Sequence, residues 1–342
     1  MSTSRWVAYY VRGEHSIAHD IASTMYEQAQ REGNDGRLLT ALRARGIREM
    51  ISGAPLAADA TFAQAERLAG LVGQQPLERR MAVVQRFAAD PEIANQFHVV
   101  LTHWALGRTD RARALSAAAL DAARSMGHVY TLGHALTHAA IVVVVDHDPA
   151  MTVACCEEAA ELANKHGMEP WRGYGEILNG FALVLKMDIE QAVVLLQAGL
   201  ARLARTGTGT MVPVHRAVCA WALQKLGRGA EAAASEKQVH HELNYGSERY
   251  WRTETFIWIA QYTQLKSTSD GLSAEHFADQ GIIEANSQGA IAWELRAATT
   301  LGRLWLSRGE RAETLESIVP LMARLPQGKH STLLREAQAL LD

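Results

Sequence analysis

The sequence predicts an all-α protein, a right-handed α-solenoid of about eight helical hairpins with a period of about 40 residues, running as one array through positions 1–342. Three observations carry that expectation. Ala, Leu, Glu, Gln and Arg recur at helical spacing through most windows, while alternating Val/Ile/Thr runs bounded by Asn-Gly turns are missing. Turn positions recur at a nearly constant interval, at Gly13, Gly53, Gly107, His147, Met187, Gly227, Ser269 and Gly309. Five positions after each stands a small residue: Ala18, Ala58, Ala112, Thr152, Ala192, Ala232, Ala274 and Thr314.

Each period reads as two antiparallel helices joined by a short turn. In the first two units Gly13 and Gly53 end the first helix, and Ala18 and Ala58 sit where the second helix crosses it. The interval after Gly53 is lengthened by an insertion, assigned to the stretch GQQPLERRMAVV at Gly73 to Val84. The third unit, WALGRTDRARALSAAAL from Trp104 to Leu120, places Gly107 at the turn and Ala112 at the crossing; Ala119 lets the next hairpin stack. Four later units also carry a small residue seven positions before the turn, namely Ala140, Gly180, Ala220 and Gly302, although Val100 and Tyr262 do not follow the rule. Two helices reach the short end of the usual spacing of about 8–10 Å only where the crossing residues lack bulk. The interval from Gly227 to Ser269 is slightly longer than its neighbours, and KSTSDGLS at Lys266 to Ser273 is the most loop-like stretch. A final helix, Leu333 to Leu341, is expected to cap the array. A hairpin of this kind cannot bury its own apolar face, so stacking makes one continuous core without linkers.

Composition narrows the function. With 48% apolar and 21% charged residues the chain is an ordinary globular one. Its formal charge of -3, from 34 basic and 37 acidic residues, gives no field that draws it to nucleic acid or an anionic membrane. The longest aliphatic run, AAIVVVV at Ala139 to Val145, is far too short to span a bilayer, and MSTSRWVAYYVRGEH lacks the features of a secretory signal. Three cysteines, Cys155, Cys156 and Cys219, two of them adjacent, suit core packing in a reducing compartment. A cytoplasmic location is expected.

The helix-turn-helix pattern with Gly-x-x-x-x-Ala spacing resembles the tetratricopeptide repeat. More specifically, GSERYWRTETFIWIAQYTQL (Gly246 to Leu265) and AIAWELRAATTLGRLWLSRGE (Ala290 to Glu310) look like the closing repeats of bacterial STAND-type signalling ATPases and adenylate/guanylate cyclase-linked regulators. The matching residues are Gly246, Glu248, Trp251 and Glu254 in the first stretch and Glu294, Leu295, Arg296, Ala297, Ala298, Leu301, Leu304 and Trp305 in the second. Weaker similarity includes Gly127, His128, Trp171 and Gly180. Phe256 stands where that family commonly carries a basic residue, so the resemblance implies no ion pair there. It does imply a sensing or docking arm without catalysis, since the chain carries neither cyclase nor ATPase.

Motifs for chemistry are weak. QGKHST (Gln327 to Thr332) offers Gly328 and Lys329 but lacks the rest of a phosphate-binding loop, and HHEL (His240 to Leu243) has Tyr245 where a zinc protease needs its second histidine. His134 and His138 lie one helical turn apart with His128 upstream, yet His147 falls at the far end of the same helix, roughly 13 Å away at about 1.5 Å per residue. No enzyme activity, metal or cofactor is expected. What remains is surface. Counting back from each turn to the helix expected on the concave side gives Phe97, Leu101, Trp104, His134, Tyr174, Phe181, Trp221 and Phe256, with Arg296 and Arg303 in the last unit. Either tight curvature buries these side chains, or they form a groove for an apolar peptide or helix whose acidic end meets the arginines. The leading expectation is a protein or peptide partner and a binding-only mechanism. The alternatives are a receptor closing around a small molecule or peptide signal, lined by His134, Tyr174 and Trp221, and a passive spacer.

Overall fold

The computed structural model describes residues 2–72, 81, 84, 89–145, 149–266, 273–326 and 331–342. Among these, every regular element is a helix. The chain runs through α1 (Ser2–Val11), α2 (His15–Glu32), α3 (Asp35–Ile51), α4 (Pro55–Val72), α5 (Pro91–Ala105), α6 (Thr109–Met126), α7 (Val129–Val145), α8 (Pro149–His166) and α9 (Glu169–Leu185). It continues through α10 (Ile189–Thr206), α11 (Val212–Lys225), α12 (Gly229–Tyr245), α13 (Arg252–Leu265), α14 (Ala274–Gln288), α15 (Ile291–Leu306), α16 (Arg311–Arg324) and α17 (Thr332–Leu341). These helices pair consecutively into hairpins from α1 with α2 to α15 with α16, and α17 packs on α15 and α16 as the closing cap.

The turns fall where the repeat puts them. Gly13, Gly53, Gly107, Gly227 and Gly309 all have φ between 73° and 84°, and Met187 adopts φ 63° at the equivalent place. His147, Ser269 and most of the 73–84 insertion lie outside the described residues. Ala18, Ala58, Ala112, Thr152, Ala192, Ala232 and Thr314 are buried at the crossings. The contact they permit is tight: a Cβ on Gly180 would stand 3.1 Å from the Ala192 carbonyl oxygen, and one on Gly302 would stand 2.9 Å from Thr314 Cγ2. The seventh unit departs from this register. There α14 begins at Ala274 itself, leaving that residue half-buried, and the close crossing moves to Gly281, where a Cβ would meet Ala297 at 3.3 Å and the Thr253 carbonyl at 3.6 Å.

Repetition of one hairpin geometry winds the array into a superhelix, and the superhelix is tight enough that later units touch early ones. The Gly209 amide donates to the Val11 carbonyl at 2.8 Å, and the Arg249 and Tyr250 amides both donate to the Ile51 carbonyl, at 2.8 and 3.1 Å. Five periods of the repeat therefore bring the backbone round on itself. Tyr250 Oη also donates to the Leu101 carbonyl at 2.7 Å, and a Cβ on Gly107 would collide with Ile291 and Leu325. Bare backbone is needed at the first of these seams, because a side chain on Gly209 would run into the Arg12 carbonyl.

Candidate functional site

The inner helices α1, α3, α5, α7 and α9 face the superhelix axis, and together with the segments 208–211 and 248–251 they enclose a cavity of about 290 Å³. Its lining follows the repeat. Thirteen positions before successive turns stand Thr40, Ala94, His134 and Tyr174, and six before stand Val7, Ile47, Leu101 and Ile141; all of them line the cavity. Positions spaced in this way fall on one helical stripe. Trp6 and Tyr10 of α1, Trp171 of α9 and Trp251 ahead of α13 complete the mostly apolar wall.

Of the polar side chains in the wall, His98 is buried and Asn95, His134 and His138 are half-buried. His98 (α5) receives Tyr10 Oη at Nε2, 3.0 Å, while its Nδ1 lies 3.0 Å from the Ala94 carbonyl. His138 lies with Nδ1 2.9 Å from the His134 carbonyl, and the His134 and His138 rings stack at 3.9 Å. Burial, reinforced by the neighbouring His138, holds the His98 pKa down near 3; burial lowers His138 to about 4 and His134 well below the ordinary histidine range. All three are therefore neutral at physiological pH. Burial acts oppositely on Glu248, raising its carboxyl to about 7 against the opposing hydrogen bond from the Met211 amide at 3.0 Å. Met211 donates that bond from a left-handed conformation, φ 61°, unusual for a side-chain-bearing residue. Several wall residues carry a buried polar atom with no hydrogen-bond partner, among them Asn95 at Oδ1, His134 at Nδ1 and Glu248 at Oε1.

The ten residues read from the sequence as a concave surface divide. Leu101, His134 and Tyr174 line the cavity, and Tyr174 Oη is fixed by the Thr210 side chain at 2.6 Å. Phe97 is wholly buried beside His138, and Trp104, 1% exposed, packs edge-on against Trp293 at 4.5 Å. Phe181 and Trp221 are buried against Trp258, at 5.3 and 5.5 Å. Phe256 is half-buried, its Cβ facing Gly281 of its hairpin partner. Arg296 is also buried, its Nε 2.8 Å from Glu254 Oε2, and Glu254 Oε1 further accepts from Trp258 Nε1 at 2.9 Å. Arg303 is exposed and pairs with Glu336 of the cap at 3.0 Å. Seven of the ten thus lie in packing or ion pairs away from the cavity. Positions three and ten before a turn, such as Trp104 and Phe97, point between hairpins, whereas the axial stripe lies at six and thirteen.

Asn95, His98 and Glu248 escaped the sequence reading as site residues. Glu248 was legible only as part of a motif, and nothing local shows that a loop near residue 248 meets helices near residues 10 and 50. His240 lies 3.8 Å from Glu236 and beside Phe277, as a helix-surface residue. Gly328 and Lys329 lie outside the described residues. Among the described residues no group of three or more His, Cys, Asp or Glu side chains is arranged to hold a metal ion, no helix is long and apolar enough to cross a membrane, and the three cysteines are buried and unpaired.

No family model matches the chain, and no curated protein matches it. Solved structures do. The chain is similar to a Rap protein complexed with competence and sporulation factor, at 11% identity and TM-score 0.60, over 99% of this chain and 98% of that one. It is similar also to the apo form of RapI, at 10% identity and TM-score 0.55, over 84% of this chain and 98% of that one. At such identities the likeness establishes the fold: an all-α solenoid of tetratricopeptide-like helical repeats.

Proposed function

We propose that this chain is a non-catalytic binding module whose axial cavity takes a short peptide or a small signal molecule, and that it serves as the sensing arm of a bacterial signal-transduction or transcription-regulatory system. One observation carries the reading. An apolar axial cavity is walled by residues that hold unpaired hydrogen-bonding atoms, Asn95 Oδ1, His134 Nδ1 and Glu248 Oε1 among them. Buried polar atoms left without partners cost about 1–3 kcal/mol each, so side chains of this kind in one wall favour an occupant toward which they can turn to recover the missing bonds. A protein of similar fold, a Rap protein, was solved in complex with competence and sporulation factor, which supports a binding role. The motifs resembling the closing repeats of STAND-type regulators support the signalling role.

The occupant is short. A volume of about 290 Å³ suits a small molecule or the end of an extended peptide. Leu101, His134 and Tyr174 contact the ligand in this reading, while Trp104, Phe181 and Trp221 set the rigidity of the wall.

The test is ligand-induced stabilisation, since a molecule that binds only the folded state raises the melting temperature by mass action. Low-molecular-mass fractions of a bacterial extract are screened against the wild-type chain and against Ala94→Trp, which fills the cavity. A fraction that shifts wild type alone is the expected result. Equal shifts in both proteins would move binding elsewhere, and no shift with any fraction would remove the receptor reading.

A further inference from the structure

Glu248 is a buried carboxyl with little to compensate a charge. Its side chain is 8% exposed. Oε2 accepts the Met211 amide at 3.0 Å, and Oε1 has no partner. The groups that face it supply no cation. His15 of α2 approaches to 3.9 Å, but burial lowers its pKa to about 4, so at neutral pH it is an uncharged ring. Tyr10 of α1 and Tyr174 of α9 also lie close, and both are phenols held neutral by burial. Its sequence neighbours turn the other way: Arg249 and Arg252 both reach Glu284. Among the described residues Arg43 is the one permanent cation in the cavity lining. It lies eight positions before Ile51 on α3, about 12 Å along the axis, and Ile51 is the residue that the 249–250 backbone clasps.

A carboxylate desolvated to this degree is normally paired. Here Glu248 is itself one of the residues lining the cavity, together with Trp6, Ile47, Met50 and Trp251, so a small side-chain rotation brings its unpartnered oxygen to the ligand. We propose that Glu248 anchors a cationic nitrogen of the ligand, an ammonium group on an otherwise apolar molecule, either the free amino end of a short peptide or the amine of a small molecule. The inference rests on the cavity being a binding site, as argued above, and assigns the chemistry that the site selects. In the free protein Glu248 holds a proton near neutrality; the incoming cation takes its place, the carboxyl ionises, and the proton leaves to solvent. Binding at about pH 6 then releases close to one proton per site; at about pH 8.5 an alkylamine, still charged, releases almost none, while a peptide amino end, which ordinarily titrates near about 8, takes one up.

Two pairs of probes separate the sources. One pair is a pool of pentapeptides built from Phe, Trp, Leu, Ile and Met with free amino ends, and the same pool acetylated. The other is phenethylamine and its uncharged counterpart 2-phenylethanol. Each is titrated calorimetrically into wild type and Glu248→Gln at pH 6 in two buffers of different ionisation enthalpy, with circular dichroism confirming that the variant is folded. The expected result is at least about tenfold tighter binding of the charged member of one pair, lost in Glu248→Gln, with proton release in wild type only. The pair that shows it names the source. Equal affinity of charged and capped probes, or a preference that survives in Glu248→Gln, overturns the ammonium anchor and leaves the cavity reading standing. Absence of binding by every probe overturns both.

Discussion

The two halves of the inner surface are made by the same repeat and finished in opposite ways. Toward the C-terminal end, the inward positions of α9, α11, α13 and α15 carry Phe181, Trp221, Trp258 and Trp293, and with Trp104 and Tyr250 they interlock edge to face at 4.5–5.9 Å. The strong charge pair there, Arg296 with Glu254, is closed on itself. Toward the N-terminal end, the positions equivalent to Phe181 and Trp221, six before their turns, carry Val7, Ile47, Leu101 and Ile141, none of them an aromatic ring that reaches across the axis, and the result is the cavity. The backbone geometry alone therefore does not make a pocket; side-chain volume on one stripe decides whether the axis is core or binding site.

That contrast can be broken from the filled side first. Removing Arg296 leaves Glu254 buried with Trp258 as its remaining partner, so Arg296→Ala should cost about 3–5 kcal/mol in urea unfolding. A loss below about 1 kcal/mol would show that water reaches the pair and that this half is not sealed. Trp104→Ala should cost about 3 kcal/mol, because its ring is wedged on Trp293 between superhelical turns. Weakened ligand binding with unchanged stability would instead return Trp104 to the surface.

The open half should respond in the other direction. Folding raises the Glu248 pKa from 4.5 to about 7, so its contribution to stability is intact below about pH 4.5 and is lost as pH rises through 7. Glu248→Gln should accordingly be more stable than wild type at pH 8 by about 1–3 kcal/mol, with the advantage vanishing at low pH. In that background the neutral histidines become readable. His98 and His138 take up a proton near pH 6.5 when unfolded and only at about 3–4 when folded, so stability is full above pH 6.5 and falls as the pH is lowered toward 4. A flat profile across that window would mean that the histidines are hydrated and the cavity is wet. The smallest effect tests the shared scaffold: Met187 is 61% exposed and holds a turn conformation that glycine tolerates, so Met187→Gly should change stability by no more than about 1 kcal/mol, with stabilisation the expected sign.

Much of the array was legible because its signals are local. The positive-φ turns at Gly13, Gly107 and Gly309, and the close crossings at Gly180 with Ala192 and Gly302 with Thr314, follow from steric rules that act within one hairpin. The seventh unit was misplaced because the small residue at 274 satisfied the spacing while the helix started late, so Gly281 took the crossing. The site was less legible. Counting back from the turns reached Leu101, His134 and Tyr174, yet the same counting put Trp104 and Phe97 in one set with them and left burial and an open groove as alternatives, since a modest rotation around a helix separates the axis from the seam between hairpins.

By itself the sequence determined the helices, their pairing and their repetition, because propensity, turn chemistry and crossing bulk are properties of neighbouring residues. Tertiary structure alone decided the pitch of the superhelix. Small rotations between hairpins accumulate over about five units until Gly209 meets Val11 and Tyr250 meets Ile51, and that closure sets Glu248 opposite Tyr10 and His15. No short stretch of sequence encodes such a sum, which is why the fold could be read along the chain and the chemistry of the cavity could not.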